Sequence, residues 1–118
     1  MPLQLTVHHG LQYLLVEVTG TTALADQRGI VELVASICAD TGCRKCLLDM
    51  RTVEVDLSFT EQLQLGTHVG EKLRSLQKLA TVVAPDLKKG ISLKVAKKLG
   101  AQAHSFTDIE EAIAWMTS

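Results

Sequence analysis

Three cysteines have a spacing that could support metal or redox chemistry. Cys38, Cys43 and Cys46 are separated by four and then two residues, as are the first three thiolate ligands of a plant-type iron–sulfur loop. Such a cluster needs a fourth thiolate, and these are the only cysteines in the sequence. Cys38 also falls in a helical apolar stripe and Cys46 begins an apolar strand. We therefore expect structural cysteines in a reducing compartment.

The Cys43-x-x-Cys46 pair could instead be redox active. Thioredoxin-like pairs gain thiolate character at the N-terminus of a helix. Here the pair follows the C-terminus of a predicted helix, whose partial negative charge opposes the thiolate. The positive charges of Arg44 and Lys45 favour the thiolate, so the sequence leaves open whether Cys43 is reactive.

The histidines do not have a metal-binding pattern. Zinc favours clustered spacings such as His-x-x-x-His, whereas these residues are scattered over two strand ends and a helix. His8 and His9 are adjacent on a predicted strand and should point to opposite faces. We expect no metal site and no cofactor. The four residues are His8, His9, His68 and His104.

Carboxylates follow the third predicted strand, where an acid–base pair could form. Asp49, Glu54 and Asp56 lie close together in sequence, but aspartates are common in turns for backbone reasons. The sequence lacks a phosphate-binding Gly-x-x-x-x-Gly-Lys-Thr loop and a Gly-x-Ser-x-Gly elbow. We expect no catalytic residues. The enzyme alternative requires a concave site in which one of these carboxyl groups has a strongly perturbed pKa.

Lysines concentrate around the third predicted helix, beside the sheet edge where α/β proteins usually bind ligands. This basic patch could meet a phosphate-bearing ligand or an acidic partner, although a solvated helix face is the commoner explanation. Its members are Lys88, Lys89, Lys94, Lys97 and Lys98.

Composition indicates one globular domain over residues 1–118. Hydrophobic residues make up 47% of the chain and aromatic residues only 3%, so the core must be aliphatic. The shortage of rings argues against a base-stacking surface for nucleic acid, and the net charge of −1 provides no field that would attract it. No apolar run approaches the ~20 residues of a membrane span, and no secretory signal is evident. We expect a cytoplasmic protein.

Hydrophobic periodicity predicts the element order ββαβαβαβα, with one mixed five-stranded sheet. Leu3, Leu5 and Val7 alternate as a half-buried strand, and Thr21 or Thr22 is expected to cap the first helix. Helix-bridged links predict parallel neighbours with right-handed crossovers. The remaining predicted strands are 12–19, 46–50, 78–84 and 101–106; the helices are 23–40, 58–76, 92–99 and 107–116; residues 51–57 are predicted as a polar loop.

This order resembles the STAS domain, and specifically its SpoIIAA-like branch, which is related to anti-sigma-factor antagonists and CRAL-TRIO domains. The resemblance is carried by Leu47-Leu48-Asp49-Met50-Arg51-Thr52-Val53, by Leu79-Ala80-Thr81-Val82-Val83 and by the ending from Ser105 to Met116. It implies a non-catalytic regulatory module that binds a protein partner. The surface expected to make that contact consists of Thr52, Glu54, Asp56, Ser58, Phe59 and Thr60.

The chain departs from the family pattern where antagonists carry a phosphorylatable serine followed by glycine. It reads Asp56-Leu57-Ser58-Phe59-Thr60 here, with no glycine. Ser58 and Thr60 keep hydroxyl groups at a helix N-terminus, which would favour a phosphate, so both remain candidate phosphorylation sites. The better supported interpretation is a Ser-x-x-Glu capping box with Glu61.

Two further hypotheses remain open. Extra aliphatic residues on the long helices could support a homodimer. The relation to CRAL-TRIO domains implies a small apolar-ligand or lipid binder as the alternative function. That alternative needs a preformed apolar cavity, and a chain of this length should have little spare volume for one.

Overall fold

The chain forms one mixed five-stranded sheet with helices on both faces. The structure, a computed structural model, describes residues 2–85 and 91–118. The elements are β1 (Gln4–His9), β2 (Leu14–Thr22), α1 (Leu24–Thr41), β3 (Lys45–Val55), α2 (Phe59–Leu73), β4 (Lys78–Val82), α3 (Ile91–Lys98), β5 (Ala103–Phe106) and α4 (Ile109–Met116). The predicted order ββαβαβαβα is confirmed.

The strands lie side by side in their sequence order, β1-β2-β3-β4-β5. β1 pairs antiparallel with β2, and every later pair is parallel. The predicted central position of β3 is therefore correct. Its nearly continuous apolar sequence follows from burial on both faces of the sheet.

Two apolar layers sandwich the sheet. Side chains of β2, β3 and β4 that include Val16, Leu48 and Leu79 pack against α1, α2 and α3 on one face. Leu47 and Ala80 point to the other face, where α4 covers them through Met116. Since adjacent strand residues alternate between faces, Leu47 and Leu48 belong to different layers.

The loop predicted over residues 51–57 was wrong. β3 continues to Val55 because a bulge after Asp49 inserts one extra residue, after which pairing with β2 resumes from Thr52 to Val55. Val53 is buried and Val55 half-buried, and this alternation supports a strand over that segment. The connection to α2 is therefore only three residues long.

The predicted cap of α1 was also wrong. Thr22 remains in β2, and Ala23 occupies the N-cap position without a capping side chain. The Asp26 carboxylate instead accepts a hydrogen bond from the Ala23 amide, at 2.8 Å. The predicted end of the helix at Gly42 is confirmed, with φ of 75° and its amide donating to the Cys38 carbonyl.

β1 is more exposed than its alternation predicted. It is an edge strand with no helix over its outer half, and Leu5 is 36% exposed. The remaining predicted boundaries differ by a few residues: β2 begins at Leu14, β4 ends at Val82, β5 begins at Ala103 and α4 begins at Ile109.

α2 and α3 pack closely through two glycines. Gly66 lies against the Ser92 carbonyl and Val95, and Gly70 lies against Leu99. Neither position has room for a methyl group, so the absence of side chains allows the two helices to approach each other. The sequence analysis did not single out this Gly-x-x-x-Gly pattern.

Candidate functional site

The end of β3 projects beyond its neighbour β4. Residues up to Asp49 pair with β4, whereas Thr52 to Val55 pair with β2 alone. Thr52 and Glu54 are exposed on this projecting segment. Glu54 is held in place because its carbonyl accepts from Thr22 Oγ1 at 3.3 Å and its carboxylate from Thr21 Oγ1 at 3.4 Å. The sequence analysis placed both residues in a loop, but a strand positions them more rigidly.

Ser58 closes the predicted capping box at the start of α2. Its Oγ accepts from the Glu61 amide at 3.1 Å, and the Glu61 carboxylate accepts from the Ser58 amide at 3.0 Å. Both groups thus satisfy backbone N–H donors that would otherwise lack partners.

Phe59 and Thr60 begin α2 and are exposed. The Phe59 residue is 56% exposed, and Leu63, one turn later on the same side of the helix, is 39% exposed. An aromatic ring held in water at the first position of a helix contributes little to the core. It is available for contact with another molecule.

We use the name β3–α2 surface for the six residues of the predicted contact site, which the fold brings to one end of the sheet. Two of them precede the short connection 56–58, two belong to it and two follow it, and all six are exposed. Glu54 lies just before the connection and Asp56 is its first residue, so the surface combines the exposed Phe59 ring with two carboxyl groups. Its members are Thr52, Glu54, Asp56, Ser58, Phe59 and Thr60.

The carboxylates proposed for acid–base chemistry do not converge. Asp49 points to the α4 face and forms a two-pronged ion pair with Arg51, at 2.9 and 2.8 Å. This pairing lowers the pKa of Asp49 below its ordinary value, mainly through the hydrogen bonds from the Arg51 side chain. A lowered pKa keeps Asp49 charged, which is the opposite of what a general acid needs. Asp56 lies elsewhere, beside a cavity at the sheet edge.

The cysteines lie near one another around the C-terminal end of α1. Cys38 and Cys46 are buried, and Cys43 is half-buried with its thiol donating to the Lys45 carbonyl at 3.2 Å. Burial raises the pKa of Cys38 to about 11, with Cys43 adding to the effect, and burial raises the pKa of Cys46 as well. Both thiols therefore remain protonated and unreactive at neutral pH.

The histidines each have different neighbours. His8 Nε2 lies 2.9 Å from a Glu17 carboxylate oxygen, and the buried Nε2 of His68 lies 3.1 Å from Glu32 without hydrogen-bond alignment. The His104 ring packs edge-on against Trp115. Across residues 2–85 and 91–118, no group of three His, Cys, Asp or Glu side chains could hold a metal ion.

The basic patch is described only in part. Lys94, Lys97 and Lys98 are exposed on α3, whereas Lys88 and Lys89 lie outside the described residues. Within the part of the chain that the structure describes, no helix has the length and apolar character needed to cross a membrane.

Sequence reasoning missed two connected cavities under α1, α2 and α3. The outer cavity, of about 230 Å³, opens at the C-terminal ends of β3 and β4; the inner cavity, of about 140 Å³, extends between the helices and the sheet. Gln27, Met50, Leu65, Val83 and Ser92 line both.

Gln27 is the polar residue between the two cavities. It is only 7% exposed and occupies the position in the α1 apolar stripe between Leu24 and Val31. The sequence contained the information needed to find Gln27, because a glutamine that shares the helical spacing of the core residues is expected to be buried. Buried amides need hydrogen-bond partners, so such a residue indicates a polar feature inside the fold.

Comparisons with known proteins agree with this architecture. A family model described as SpoIIAA-like matches residues 13–117. No curated protein matches the sequence. Solved structures with the same fold include an anti-sigma factor antagonist from Mycobacterium paratuberculosis, with 16% identity and a TM-score of 0.70, covering 99% of this chain and 96% of that one.

Two other solved structures share the fold. An uncharacterized Shewanella loihica protein with a SpoIIAA-like fold has 19% identity and a TM-score of 0.58, covering 97% of this chain and 93% of that one. The unphosphorylated anti-sigma factor antagonist SpoIIAA has 14% identity and a TM-score of 0.59, covering 98% and 96%. At these identities the similarity shows the fold.

Proposed function

Since this chain belongs to the SpoIIAA-like family, we propose that it is a non-catalytic regulatory module that acts by binding another protein through the β3–α2 surface. The observation that carries the proposal is the exposure of Phe59 at the start of a helix whose other apolar side chains pack mainly inward. Aromatic residues supply much of the binding energy at protein interfaces. Solved structures of the same fold include anti-sigma factor antagonists, which supports a protein partner.

Charge defines the kind of partner that fits this surface. Glu54 and Asp56 belong to the same surface as Phe59, and neither forms an ion pair with a described residue. A complementary partner would present an apolar pocket for the ring and arginine or lysine side chains at its rim. The basic patch on α3 would face solvent.

We infer that binding at this surface is not switched by a phosphoserine. The Ser58 hydroxyl is engaged in the capping box, and a phosphate there would add negative charge beside Glu61 and Asp56. The intact mass of the chain purified from its own cells tests this part. A phosphate located on Ser58 or Thr60 would overturn it.

The experiment for the interaction compares Phe59→Ala with Leu11→Ala. Leu11 is fully exposed on the β1–β2 hairpin, at the opposite end of the sheet, and is therefore a matched control. Proteins captured from the source cells by the unmodified chain are purified, and each binding affinity is then measured by calorimetry. Loss of the Phe59 ring should lower the affinity for the partner that uses this surface by about 30-fold, whereas Leu11→Ala should have little effect on it.

Equal affinity of the partner for both variants would refute the proposed surface. The homodimer stays a separate prediction, which light scattering at several concentrations can test. A mass equal to one chain at every concentration would remove it.

The two cavities favour a second candidate function, the binding of a small apolar ligand. The inner cavity is comparable with a ~150 Å³ protein cavity that accepts benzene, and this is too small for a long-chain lipid. We therefore keep small apolar molecules as candidate ligands and exclude long-chain lipids.

A further inference from the structure

The chemistry of the cavity lining indicates what kind of small molecule would bind there. The inner cavity is lined mostly by aliphatic side chains of α1, α2 and the sheet, including Ile30, Val31 and Val69. Thr81 and Ser105 add hydroxyl groups on the side towards β5. A volume of about 140 Å³ accepts a group of roughly six carbons.

Gln27 presents a hydrogen-bond acceptor to the cavities. Its amide nitrogen donates to Thr22 Oγ1 at 2.9 Å, and that hydroxyl donates to the Glu54 carbonyl at 3.3 Å. Because the hydroxyl proton is used on a carbonyl, Thr22 can only accept from Gln27, and this fixes the orientation of the amide. No described residue donates to the Gln27 amide oxygen.

Two other polar groups of the outer cavity donate to backbone carbonyls. Gln62 Nε2 donates to the Leu57 carbonyl at 3.1 Å, and Ser92 Oγ donates to the Gln62 carbonyl at 3.0 Å. The Gln62 amide oxygen and the Ser92 hydroxyl oxygen keep acceptor lone pairs, whereas Gln27 and Gln62 each keep a second N–H donor. The Asp56 carboxylate completes the lining. The polar side chains of the outer cavity thus offer both acceptors and donors, and the charge among the described ones is the negative charge of Asp56.

We propose that the two cavities form a binding site for a small aliphatic amine. The hydrocarbon chain of about six carbons would occupy the inner cavity, and the ammonium group would donate to Gln27 Oε1 and lie near Asp56 in the outer cavity. This inference rests on the cavities and not on the partner proposed for Phe59.

A carboxylate is the competing head group, because positive charge also lies near the outer cavity. α3 begins at Ile91, which lines that cavity, and the N-terminus of a helix favours anions. Lys94 adds a positive charge on the same helix. The side-chain acceptors and the Asp56 carboxylate of the outer cavity favour a positively charged head group instead. Comparison of hexylamine, hexanol and hexanoate, which differ only in the head group, separates these effects.

The test is a titration of the ¹⁵N-labelled full chain with each compound at pH 7, followed by NMR. Hexylamine should shift the side-chain amide of Gln27 saturably and bind about tenfold more tightly than hexanoate, with hexanol between them. Asp56→Asn should weaken hexylamine several-fold and leave hexanol unchanged. Glu71→Gln, which alters an exposed carboxylate of α2 outside the cavity lining, is the matched control and should change neither.

Three results would overturn the proposal. These are an affinity for hexanoate that equals or exceeds that for hexylamine, shifts confined to residues outside the cavity lining, and no saturable shift with millimolar hexylamine. Val69→Phe, which fills the inner cavity, should abolish binding of both hexylamine and hexanol. If that variant does not fold, Gln27→Met serves instead and should weaken hexylamine about tenfold. Since Phe59 is not part of the cavities, Phe59→Ala should still bind hexylamine even if the proposed interaction surface is wrong.

Discussion

Replacing Gly66 with alanine should destabilise the protein, although alanine is the better helix former. A methyl group at this position would overlap the Ser92 carbonyl oxygen and lie 2.7 Å from Val95 Cβ. The Ser92 oxygen belongs to the backbone of α3, so the whole helix must move. Overpacking of this kind costs about 1–3 kcal/mol, and the gain in helix propensity offsets about 1 kcal/mol, leaving a net loss of up to about 2 kcal/mol.

Two other helical glycines provide the comparison. Gly29 lies in α1, where a methyl group would meet no side chain and no other element within 4 Å, so Gly29→Ala should stabilise the protein by about 1 kcal/mol. A methyl group at Gly70 would lie 2.8 Å from Leu99 Cβ, but Leu99 follows the end of α3 and is 42% exposed. This side chain can move aside, and Gly70→Ala should therefore cost less than Gly66→Ala.

Urea unfolding followed by circular dichroism gives the free energy of unfolding for each variant. The expected order of stability is Gly29→Ala, then the unmodified chain, then Gly70→Ala, then Gly66→Ala, with similar urea dependence for all four. If Gly66→Ala were as stable as Gly29→Ala, the close contact between α2 and α3 would be refuted.

Three further predictions concern the cap, the ion pair and the cysteines. Ser58→Ala should lower the free energy of unfolding by about 1 kcal/mol in the same urea assay because the capping box is lost. Thr60→Ala is the control and should change that free energy by less than about half as much. Equal effects of the two substitutions would contradict the capping role. The lowered pKa of Asp49 means that its pairing with Arg51 stabilises the fold fully above the ordinary pKa of 3.8 and progressively less as the pH falls through the lower native value. Unfolding measured from pH 6 into this acidic range should therefore show a smaller acid-induced loss of stability in Arg51→Gln than in the unmodified chain, and parallel curves would count against the pair. Iodoacetamide at pH 8 should alkylate Cys43 before Cys38 and Cys46, as mass spectrometry of the folded chain can show; early modification of Cys46 would be inconsistent with its burial.

Apolar periodicity was sufficient to predict the order of elements and the central strand. Leu47 and Leu48 face opposite layers, and only a strand covered on both sides requires apolar residues at both positions. The Ser58 cap was equally readable because its signal is local, consisting of a serine and a glutamate three residues later.

Features that depend on contacts between distant segments could not be predicted in the same way. The extension of β3 beyond Asp49 depends on a bulge and on pairing with β2, and polar Arg51, Thr52 and Glu54 masked the strand pattern. The role of Gly66 depends on α3, which lies far along the chain. The cavities depend on how several elements pack together, although a polar residue, Gln27, in the apolar stripe of α1 indicated their position.

The sequential order of the strands has a consequence for folding during synthesis. Each strand from β2 onwards pairs with the strand made just before it, so no segment has to insert between two strands that are already joined. A chain leaving the ribosome from its N-terminus could therefore extend the sheet one strand at a time. The step that must wait is the docking of α4, because the second apolar layer is closed only when the last helix has been translated.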